Sequence, residues 1–203
     1  MQLDFFFDYR SPYAYLANSQ FAKLGIEAVY RPIDVLALMR AVNNQPSTLC
    51  PPKTHYAAVD AGRWARHYGV AYEPNWGLMK EMSAGRLDAT LLLRAGLAAK
   101  KHQLGDAIHA TLFEAVWAGN AKLADAQGRH DFLAHHGIGL DLWSLASDPE
   151  LEEVLQANNA EAVARGAFGV PTMFVGDEMF FGNDRLHFVA QRLGGAQREE
   201  VAA

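Results

Sequence analysis

The amino-acid sequence predicts an α/β domain whose two halves are separated by a large all-helical insertion. The pattern over residues 3–31 is typical of strand, helix and strand, and the pattern from residue 171 onward is typical of two strands and a helix. The stretch between them carries apolar residues at spacings of three and four, the period of amphipathic helices. A β-α-β unit, a helical block and a β-β-α unit together predict this fold class.

The N-terminal β-α-β unit is predicted from apolar runs and from the residues that end them. Residues 3–8 (LDFFFD) suit a buried strand, and residues 12–24 suit a helix that ends before Gly25. Residues 26–31 (IEAVYR) suit a second strand, which Pro32 ends. A strand-helix-strand unit implies a parallel strand pair with a right-handed crossover.

Ser11 and Pro12 mark the start of the first helix. Serine is a preferred N-cap because its hydroxyl accepts a hydrogen bond from an unpaired backbone N–H of the first turn. Proline is tolerated at the first helical position because its missing N–H would have no partner there. Two interpretations stay open at this point: Ser11 is only a cap, or it is a cap whose hydroxyl also serves a ligand.

The middle and end of the chain complete the predicted element order. Central helices are predicted at residues 34–42, 53–68, 88–103, 105–118, 129–136 and 148–166. Residues 171–175 and 179–181 are predicted to pair as a hairpin, and the segment "GNDRLHFVAQRLGG" to form a capped helix that ends on glycine. The predicted boundaries are 1–33 and 168–203 for the domain with the sheet, and 34–167 for the helical insertion.

Composition and charge exclude several classes of function. Half of the 203 residues are hydrophobic and 20% are charged, which is enough to bury a core and argues against disorder. The net charge is −5 and there is no basic block, so we expect neither a nucleic-acid nor an anionic membrane partner. No apolar run has the length of a membrane span and no export leader is visible, which predicts a cytoplasmic protein.

The cysteine and histidine content limits the chemistry further. Cys50 is the single cysteine of the chain, so it forms neither an internal disulfide nor a dithiol redox pair. Its position beside Pro51 indicates an incidental thiol rather than a nucleophile. The eight histidines are scattered without a metal-ligand spacing, and we therefore expect no metal site.

Three motifs, in order along the chain, carry a resemblance to a known family. They are "FFFDYRSPYAYLAN", "DAGRWARHYG" and "FGVPTMFVGDEMFFGNDRL". With them, nearly the whole chain resembles 2-hydroxychromene-2-carboxylate isomerases, glutathione-dependent relatives of kappa-class glutathione transferases and bacterial disulfide oxidoreductases. The resemblance implies a thioredoxin-like fold, in which a Cys-x-x-Cys opens the first helix and faces a cis-proline. Ser11 and Ala14 stand at the two cysteine positions, and Pro171 matches the cis-proline.

The resemblance also implies a cofactor and the residues that hold it. Because the chain lacks the reactive cysteine, glutathione supplies the thiol, and Ser11 is the predicted catalytic residue that stabilises its thiolate. The backbone N–H and C=O of Val170 are expected to pair with the cysteinyl unit of glutathione. Asn183 and Asp184 are expected to bind the γ-glutamyl end, although N-capping is an alternative role for both.

Asn44 is a further predicted glutathione contact, Lys53 is expected to meet a carboxylate of glutathione or of the substrate, and the family also implies a homodimer. The expected activity is conversion of 2-hydroxychromene-2-carboxylate, a small aromatic substrate, into its trans-benzylidenepyruvate isomer. Two alternatives stay open: a kappa-like transferase or peroxidase that uses the thiolate on another electrophile, and a redox-inactive thioredoxin-like module that binds extended peptides at Pro171. The segment from Pro46 to Lys53 lacks the arginine of the naphthalene-pathway isomerases, so a carboxylate-binding arginine is not expected there.

Overall fold

A four-stranded sheet of order β2-β1-β3-β4 carries one end of the fold. The computed structural model describes the backbone of residues 2–201 and the side chains of residues 2–194. Its strands are β1 (Leu3–Phe7), β2 (Ala28–Pro32), β3 (Thr172–Val175) and β4 (Glu178–Phe181). Strand β1 pairs in parallel with β2 and antiparallel with β3, and β3 and β4 form an antiparallel hairpin. This is the β-α-β and β-β-α arrangement that the sequence predicts.

Aromatic side chains bury both faces of the central strand. Phe5 and Phe7 lie on one face, with their rings stacked at a centroid distance of 5.0 Å. Phe6 lies on the other face and meets Phe174 edge to face at 5.7 Å. All three phenylalanines of β1 are fully buried, so the apolar run that predicts the strand is the centre of the core.

Ten α-helices and two 3-10 turns lie in the described part of the chain. The helices are α1 (Pro12–Leu24), α2 (Val35–Ala41), α3 (Pro51–Tyr68), α4 (Trp76–Ser83), α5 (Leu91–Lys101), α6 (Ala107–Trp117), α7 (Ala126–His135), α8 (Leu142–Leu145), α9 (Pro149–Ala164) and α10 (Leu186–Val201). The 3-10 turns are Ser47–Leu49 and Asn183–Arg185. Among the described residues, no helix combines the length and the apolarity needed to cross a bilayer.

The chain divides into two compact units by internal contacts. The sheet unit comprises the chain up to Val70 and from Asn158 onward, and the helical unit comprises Ala71–Ala157. Helices α2 and α3 and the end of α9 therefore group with the sheet. The boundaries 1–33, 34–167 and 168–203 stay a prediction about how the chain divides into domains.

Three elements differ from the sequence prediction. Helix α4 begins in a segment that the sequence marks as a break, because Asn75 caps it through an N–H of Leu78 at 3.0 Å and is itself fixed by the carbonyls of Ala115 and Ala121. The four-residue helix α8 is too short to show a helical period. Helix α10 continues through Gly194 to Val201, so the predicted stop on glycine is wrong.

The physical reason for the longer α10 lies in the backbone of its glycine. Gly25 and Gly69 end α1 and α3 in the left-handed region, at φ 64° and 65°. Gly194 keeps a helical backbone instead, and nothing lies within 4 Å of the place where a Cβ would be. A glycine can therefore sit inside a helix when no left-handed turn follows it.

The strand register brings four chain segments to one end of the sheet, which we call the site end. Strands β1 and β2 both finish there, with Phe7 paired to Pro32. Strand β3 begins there, with Thr172 paired to Phe6, and β4 finishes there at Phe181. The β1–α1 loop, the segment after β2, the loop before β3 and the 3-10 turn after β4 therefore all meet at the site end.

Candidate active site at the site end of the sheet

Ser11 caps helix α1 and keeps its hydroxyl hydrogen available. Its backbone is extended, at φ −95° and ψ 117°, and its Oγ accepts a hydrogen bond from the N–H of Ala14 at 3.2 Å. Its own N–H donates to the carbonyl of Asp8 at 3.0 Å. No acceptor for the hydroxyl hydrogen lies within the described residues. The two interpretations of Ser11 are thus compatible, because a cap uses the oxygen and leaves the hydrogen for a ligand.

Asp8 and Arg10, which directly precede Ser11, form an ion triplet with Asp34 at the start of α2. The sequence did not lead us to predict this triplet. The Nε of Arg10 donates to Asp8 Oδ1 at 2.9 Å, and one of its terminal nitrogens donates to Asp8 Oδ2 and to Asp34 Oδ1 at 2.6 Å. The Asp8 side chain is 1% exposed. The sequence signal that could have indicated this triplet is a carboxylate and a guanidinium two residues apart, immediately after a buried strand.

Backbone and side-chain donors of α2 and α9 hold the triplet in place. Asp8 Oδ2 accepts the N–H of Val35 at 3.0 Å, and Asp34 caps α2 through the N–H of Leu36 at 3.0 Å. The Asn159 side chain accepts the N–H of Asp34 at 2.9 Å and donates to its carbonyl at 2.8 Å. Burial acts to lower the pKa of Arg10, but the charges and hydrogen bonds of the two aspartates outweigh it and raise that pKa.

The peptide bond between Val170 and Pro171 is cis, as the resemblance implies. The loop is closed on both sides of this bond, since Thr172 Oγ1 donates to the carbonyl of Gly169 at 2.8 Å and the N–H of Gly182 donates to the carbonyl of Pro171 at 3.0 Å. Within the described residues, the N–H and C=O of Val170 have no hydrogen-bond partner. Buried backbone groups are normally paired, so this peptide unit is suited to an extended ligand.

Asn44 contacts the cis-proline loop rather than standing free. Its Nδ2 donates to the carbonyl of Phe168 at 2.7 Å, and its Oδ1 accepts the N–H of Gln45 at 2.8 Å. The preceding Asn43 has a positive φ of 54°, which turns the chain after α2. The structure thus brings Asn44 to the site end through the loop that carries Val170.

Asn183 is buried and bonded to helix α3. Its Nδ2 donates to the hydroxyl of Tyr68 at 3.2 Å, and that hydroxyl donates to the carbonyl of Asn183 at 3.0 Å. Gly182, and not Asn183, occupies the N-cap position of the 3-10 turn, and the expected contact of Asn183 with glutathione stays a prediction. Burial raises the pKa of the Tyr68 hydroxyl, which stays protonated and donates in this pair.

Asp184 is partly exposed and folds back over Gly182. Its Oδ2 accepts a hydrogen bond from Arg185 at 2.9 Å. Its Oδ1 lies 2.7 Å from the position where a Cβ on Gly182 would be, and Gly182 has a positive φ of 97°. The positive φ favours glycine at 182, whereas the Asp184 carboxylate could move away from an added Cβ. Gly182 occupies the N-cap position of this turn, and both the expected glutathione contact of Asp184 and its capping alternative stay predictions.

Lys53 lies apart from these residues, near the start of α3. It is exposed, and its ammonium has no hydrogen bond or ion pair within the described residues. Helix α3 is joined to α1 by a hydrogen bond from the Tyr13 hydroxyl to Asp60 at 3.0 Å. Lys53 precedes Asp60 by seven residues, which is roughly 10 Å along a helix. No contact brings it to Ser11.

Other reactive side chains give no competing site. Cys50 is a free, half-buried thiol at the N-cap position of α3. Among the described residues, no group of three or more His, Cys, Asp or Glu side chains is placed to hold a metal ion.

Known proteins with a similar sequence identify the family. The family model described as a DSBA-like thioredoxin domain matches residues 2–194 of this chain. The 2-hydroxychromene-2-carboxylate isomerases of Pseudomonas sp. (strain C18) and Pseudomonas putida are each 33% identical to this chain, over 96% and 99% of it and 91% and 98% of their own lengths. The chain belongs to the 2-hydroxychromene-2-carboxylate isomerase family. The thioredoxin-like fold and the resemblance carried by the three motifs are both confirmed.

Three further proteins agree with these relatives: a solved isomerase structure, a kappa-class sequence relative and a solved structure that shares the fold. The structure of a 2-hydroxychromene-2-carboxylate isomerase superposes with a TM-score of 0.78 at 27% identity, covering 100% of this chain and 98% of that one. Glutathione S-transferase kappa 1 of Caenorhabditis elegans is 24% identical over 95% of this chain and 90% of its own length. The cytosolic disulfide reductase DsbM of Pseudomonas aeruginosa with GSH shares the fold, with a TM-score of 0.64 at 18% identity over 100% of both chains.

Proposed function

We propose that this chain is a glutathione-dependent isomerase that converts 2-hydroxychromene-2-carboxylate to trans-o-hydroxybenzylidenepyruvate. The observation that carries the proposal is the pairing, at one end of the sheet, of a helix-capping serine with an available hydroxyl hydrogen and a cis-proline peptide with unpaired backbone groups. Relatives named as this isomerase support the substrate.

The donors and acceptors at the site end fit glutathione. Val170 offers one N–H and one C=O that have no partner within the described residues, and the cysteinyl peptide unit can pair with both as an added strand would. The first turn of α1 offers partial positive charge to the thiol, and the Ser11 hydroxyl offers a hydrogen bond to the charged sulfur. Asn44 supports this arrangement by bracing the loop at Phe168, which is its proposed contribution to glutathione binding.

The γ-glutamyl end is assigned to the 3-10 turn after β4. The Asp184 carboxylate, which is partly exposed and bonded to Arg185, is the proposed partner of the γ-glutamyl amine. Asn183 is the proposed support for this turn, since its side chain and carbonyl both bond to Tyr68. A relative named as a kappa-class transferase and a fold neighbour solved with GSH support glutathione as the cofactor.

When bound, glutathione would supply a nucleophilic thiol, whose reversible addition to the conjugated substrate would permit ring opening and rotation about a carbon–carbon bond. The chain's own contribution is electrostatic and geometric. Ser11 donates a hydrogen bond to the sulfur and, with the start of α1, favours its ionised form. Val170 and the cis-proline loop fix the position of the cysteinyl unit relative to Ser11.

Lys53 is the proposed partner of the substrate carboxylate. It is the one cation between Pro46 and Lys53 in the sequence, and its ammonium is unpaired within the described residues. A lysine acts as a point charge, without the two-pronged geometry of arginine. We further propose that the protein is cytoplasmic and has no nucleic-acid or membrane partner, and that it is a homodimer, as the family resemblance implies.

A kappa-like transferase or peroxidase is the second candidate. The same serine, loop and turn serve a thiolate that attacks another electrophile, and the kappa-class relative from Caenorhabditis elegans favours this candidate. The absence of an arginine between Pro46 and Lys53 also favours an uncharged electrophile. A redox-inactive peptide-binding module is the alternative outside enzymes, since an extended peptide also pairs with Val170.

Two measurements test these candidates. Calorimetry with glutathione separates the enzymes from the peptide-binding module, because only the enzymes require the tripeptide. Conversion of 2-hydroxychromene-2-carboxylate, followed by absorbance with and without glutathione, then separates the isomerase from the transferase. We expect binding and glutathione-dependent conversion; binding without conversion, together with conjugation of an uncharged electrophile, overturns the isomerase assignment.

A further inference from the structure

The Asp8–Arg10–Asp34 triplet places a net charge of −1 beside the proposed thiolate site. It holds two carboxylates and one guanidinium, and Asp8 is fully buried. Asp8 precedes Ser11 by three residues, so their Cα atoms lie within about 10 Å of each other. At that separation and in a partly buried setting, one unit of charge changes a pKa by about half a unit to one unit.

Arg10 weakens the opposition of the triplet to ionisation of a thiol, because its guanidinium offsets one of the two carboxylate charges. Without its guanidinium, the two carboxylates leave a charge of −2 at the start of α1, and a thiolate there is destabilised. The same side chain also shapes the loop. Its bonds to Asp8 fix the residue whose carbonyl accepts the N–H of Ser11 at 3.0 Å, while Asp34 is fixed by Asn159.

We propose that Arg10 is a positioning residue that favours the thiolate at Ser11, by offsetting one of the two carboxylate charges of Asp8 and Asp34 and by fixing the loop that presents the serine. The inference rests on the proposed function, since it concerns the thiol of glutathione bound at Ser11. It assigns a role to a side chain that touches neither glutathione nor substrate.

The variants described below leave the other charged or titratable groups on the elements around Ser11 unchanged. Helix α2 adds Arg40, helix α3 adds Asp60 in its bond with Tyr13, and the 3-10 turn adds the Asp184–Arg185 pair. The β1–α1 loop adds Tyr9, whose pKa is raised by burial. None of these is changed by the variants below, so a shift between variants reports the triplet.

The experiment varies the charge of the triplet and measures the thiol pKa of bound glutathione by ultraviolet absorbance of the thiolate. Arg10→Gln gives a triplet charge of −2 and is expected to raise that pKa by about half a unit to one unit. Asp34→Asn gives a charge of 0, keeps the cap of α2, and is expected to lower the pKa. The double variant returns the charge to −1 and is expected to restore the wild-type value.

A control separates charge from geometry. Arg10→Lys keeps the charge but loses the paired bonds to Asp8, so we expect a pKa near that of the wild type and a lower melting temperature. The inference is overturned if the thiol pKa of bound glutathione does not follow the charge of the triplet and only the melting temperatures change. If Arg10→Gln does not fold, Asp34→Asn decides alone, because an unchanged or raised thiol pKa in that variant contradicts the proposal.

The wild-type protein separates failure of this inference from failure of the proposed function. If the wild type binds glutathione and lowers its thiol pKa but the variants leave that pKa unchanged, only the role of Arg10 is wrong. If the wild type does not bind glutathione, the proposed function falls and this inference falls with it.

Discussion

Ser11 combines two roles that different substitutions can separate. As a cap, its Oγ accepts one backbone hydrogen bond from Ala14 at 3.2 Å. Loss of such a cap costs about 1 kcal/mol of stability, or a decrease of roughly 2–4 °C in Tm for a chain of this size. As a catalytic residue, it donates a hydrogen bond to a charged sulfur, which is worth about 1.5–3 kcal/mol.

Ser11→Ala removes both contributions, and Ser11→Gly removes mainly the second. Glycine is tolerated at the N-cap position with a loss of only a few tenths of a kcal/mol. We therefore expect both variants to lower kcat by roughly ten- to a hundredfold, while only the alanine variant loses about 1 kcal/mol of stability. Glutathione affinity is expected to change little, because Val170 and the 3-10 turn hold most of the tripeptide.

The assay compares three quantities for wild type, Ser11→Ala, Ser11→Gly and Ser11→Thr. These are kcat for the chromene, the thiol pKa of bound glutathione, and Tm. Threonine keeps the hydroxyl and the cap, and it is expected to retain most of the activity. If Ser11→Gly has full activity, or if activity follows Tm across the series, the hydroxyl does not act on the thiolate and Ser11 is a cap alone.

Five further substitutions, one of them a control, test other groups of the chain. Asp184→Asn is expected to weaken glutathione binding about tenfold by calorimetry, because it removes the charge proposed for the γ-glutamyl amine, whereas Arg185→Gln leaves the carboxylate in place and is expected not to weaken it. Tyr68→Phe removes both bonds to Asn183, so we expect a loss of about 1 kcal/mol in stability and weaker glutathione binding. Lys53→Met is expected to raise KM for the chromene carboxylate about tenfold while the Kd of glutathione is unchanged. Burial lowers the pKa of His109 from 6.5 to about 3, so below pH 6.5 the unfolded state binds a proton that the folded state does not bind. The free energy of unfolding therefore decreases as the pH is lowered, by about 2 kcal/mol near pH 5. Denaturation of His109→Gln is expected not to show this decrease.

Each of these expectations has an outcome that contradicts it. Unchanged glutathione affinity in Asp184→Asn places the tripeptide elsewhere, and lost stability with normal affinity in Tyr68→Phe makes the Asn183 turn structural only. An unchanged KM in Lys53→Met removes the proposed carboxylate partner. A pH dependence of unfolding in His109→Gln equal to that of the wild type assigns the acid sensitivity to another group.

The sheet and its loops could be predicted because local signals and the core pattern agree. The phenylalanine run of β1, the Ser11-Pro12 helix start and the Gly176 turn each specify one local conformation, and the register follows from the buried face. Helix α4 could not be predicted, because its cap residue Asn75 depends on carbonyls some forty residues away in sequence.

The candidate site was predictable in its backbone and not in its charges. Ser11 and Pro171 belong to short motifs whose conformation is local, and both have the expected geometry. The Arg10 triplet depends on Asp34, which is brought close only when β1 and β2 pair in parallel. The bond between Asn183 and Tyr68 likewise joins residues that are distant in sequence, which a linear pattern does not reveal.

Because β1 lies between β2 and β3, the sheet can be completed only late in the synthesis of the chain. Strand β1 has β2 on one side as soon as Ala28–Pro32 has been made, but its other side waits for β3, which begins at Thr172. At translation speeds of about 5–20 residues per second, the roughly 140 intervening residues take about 7–28 seconds to be synthesised. Throughout that interval, a phenylalanine-rich strand has one open hydrogen-bonding edge, which is a template for pairing with other chains. We therefore expect the nascent chain to be most prone to aggregation before the segment that carries β3 has been synthesised.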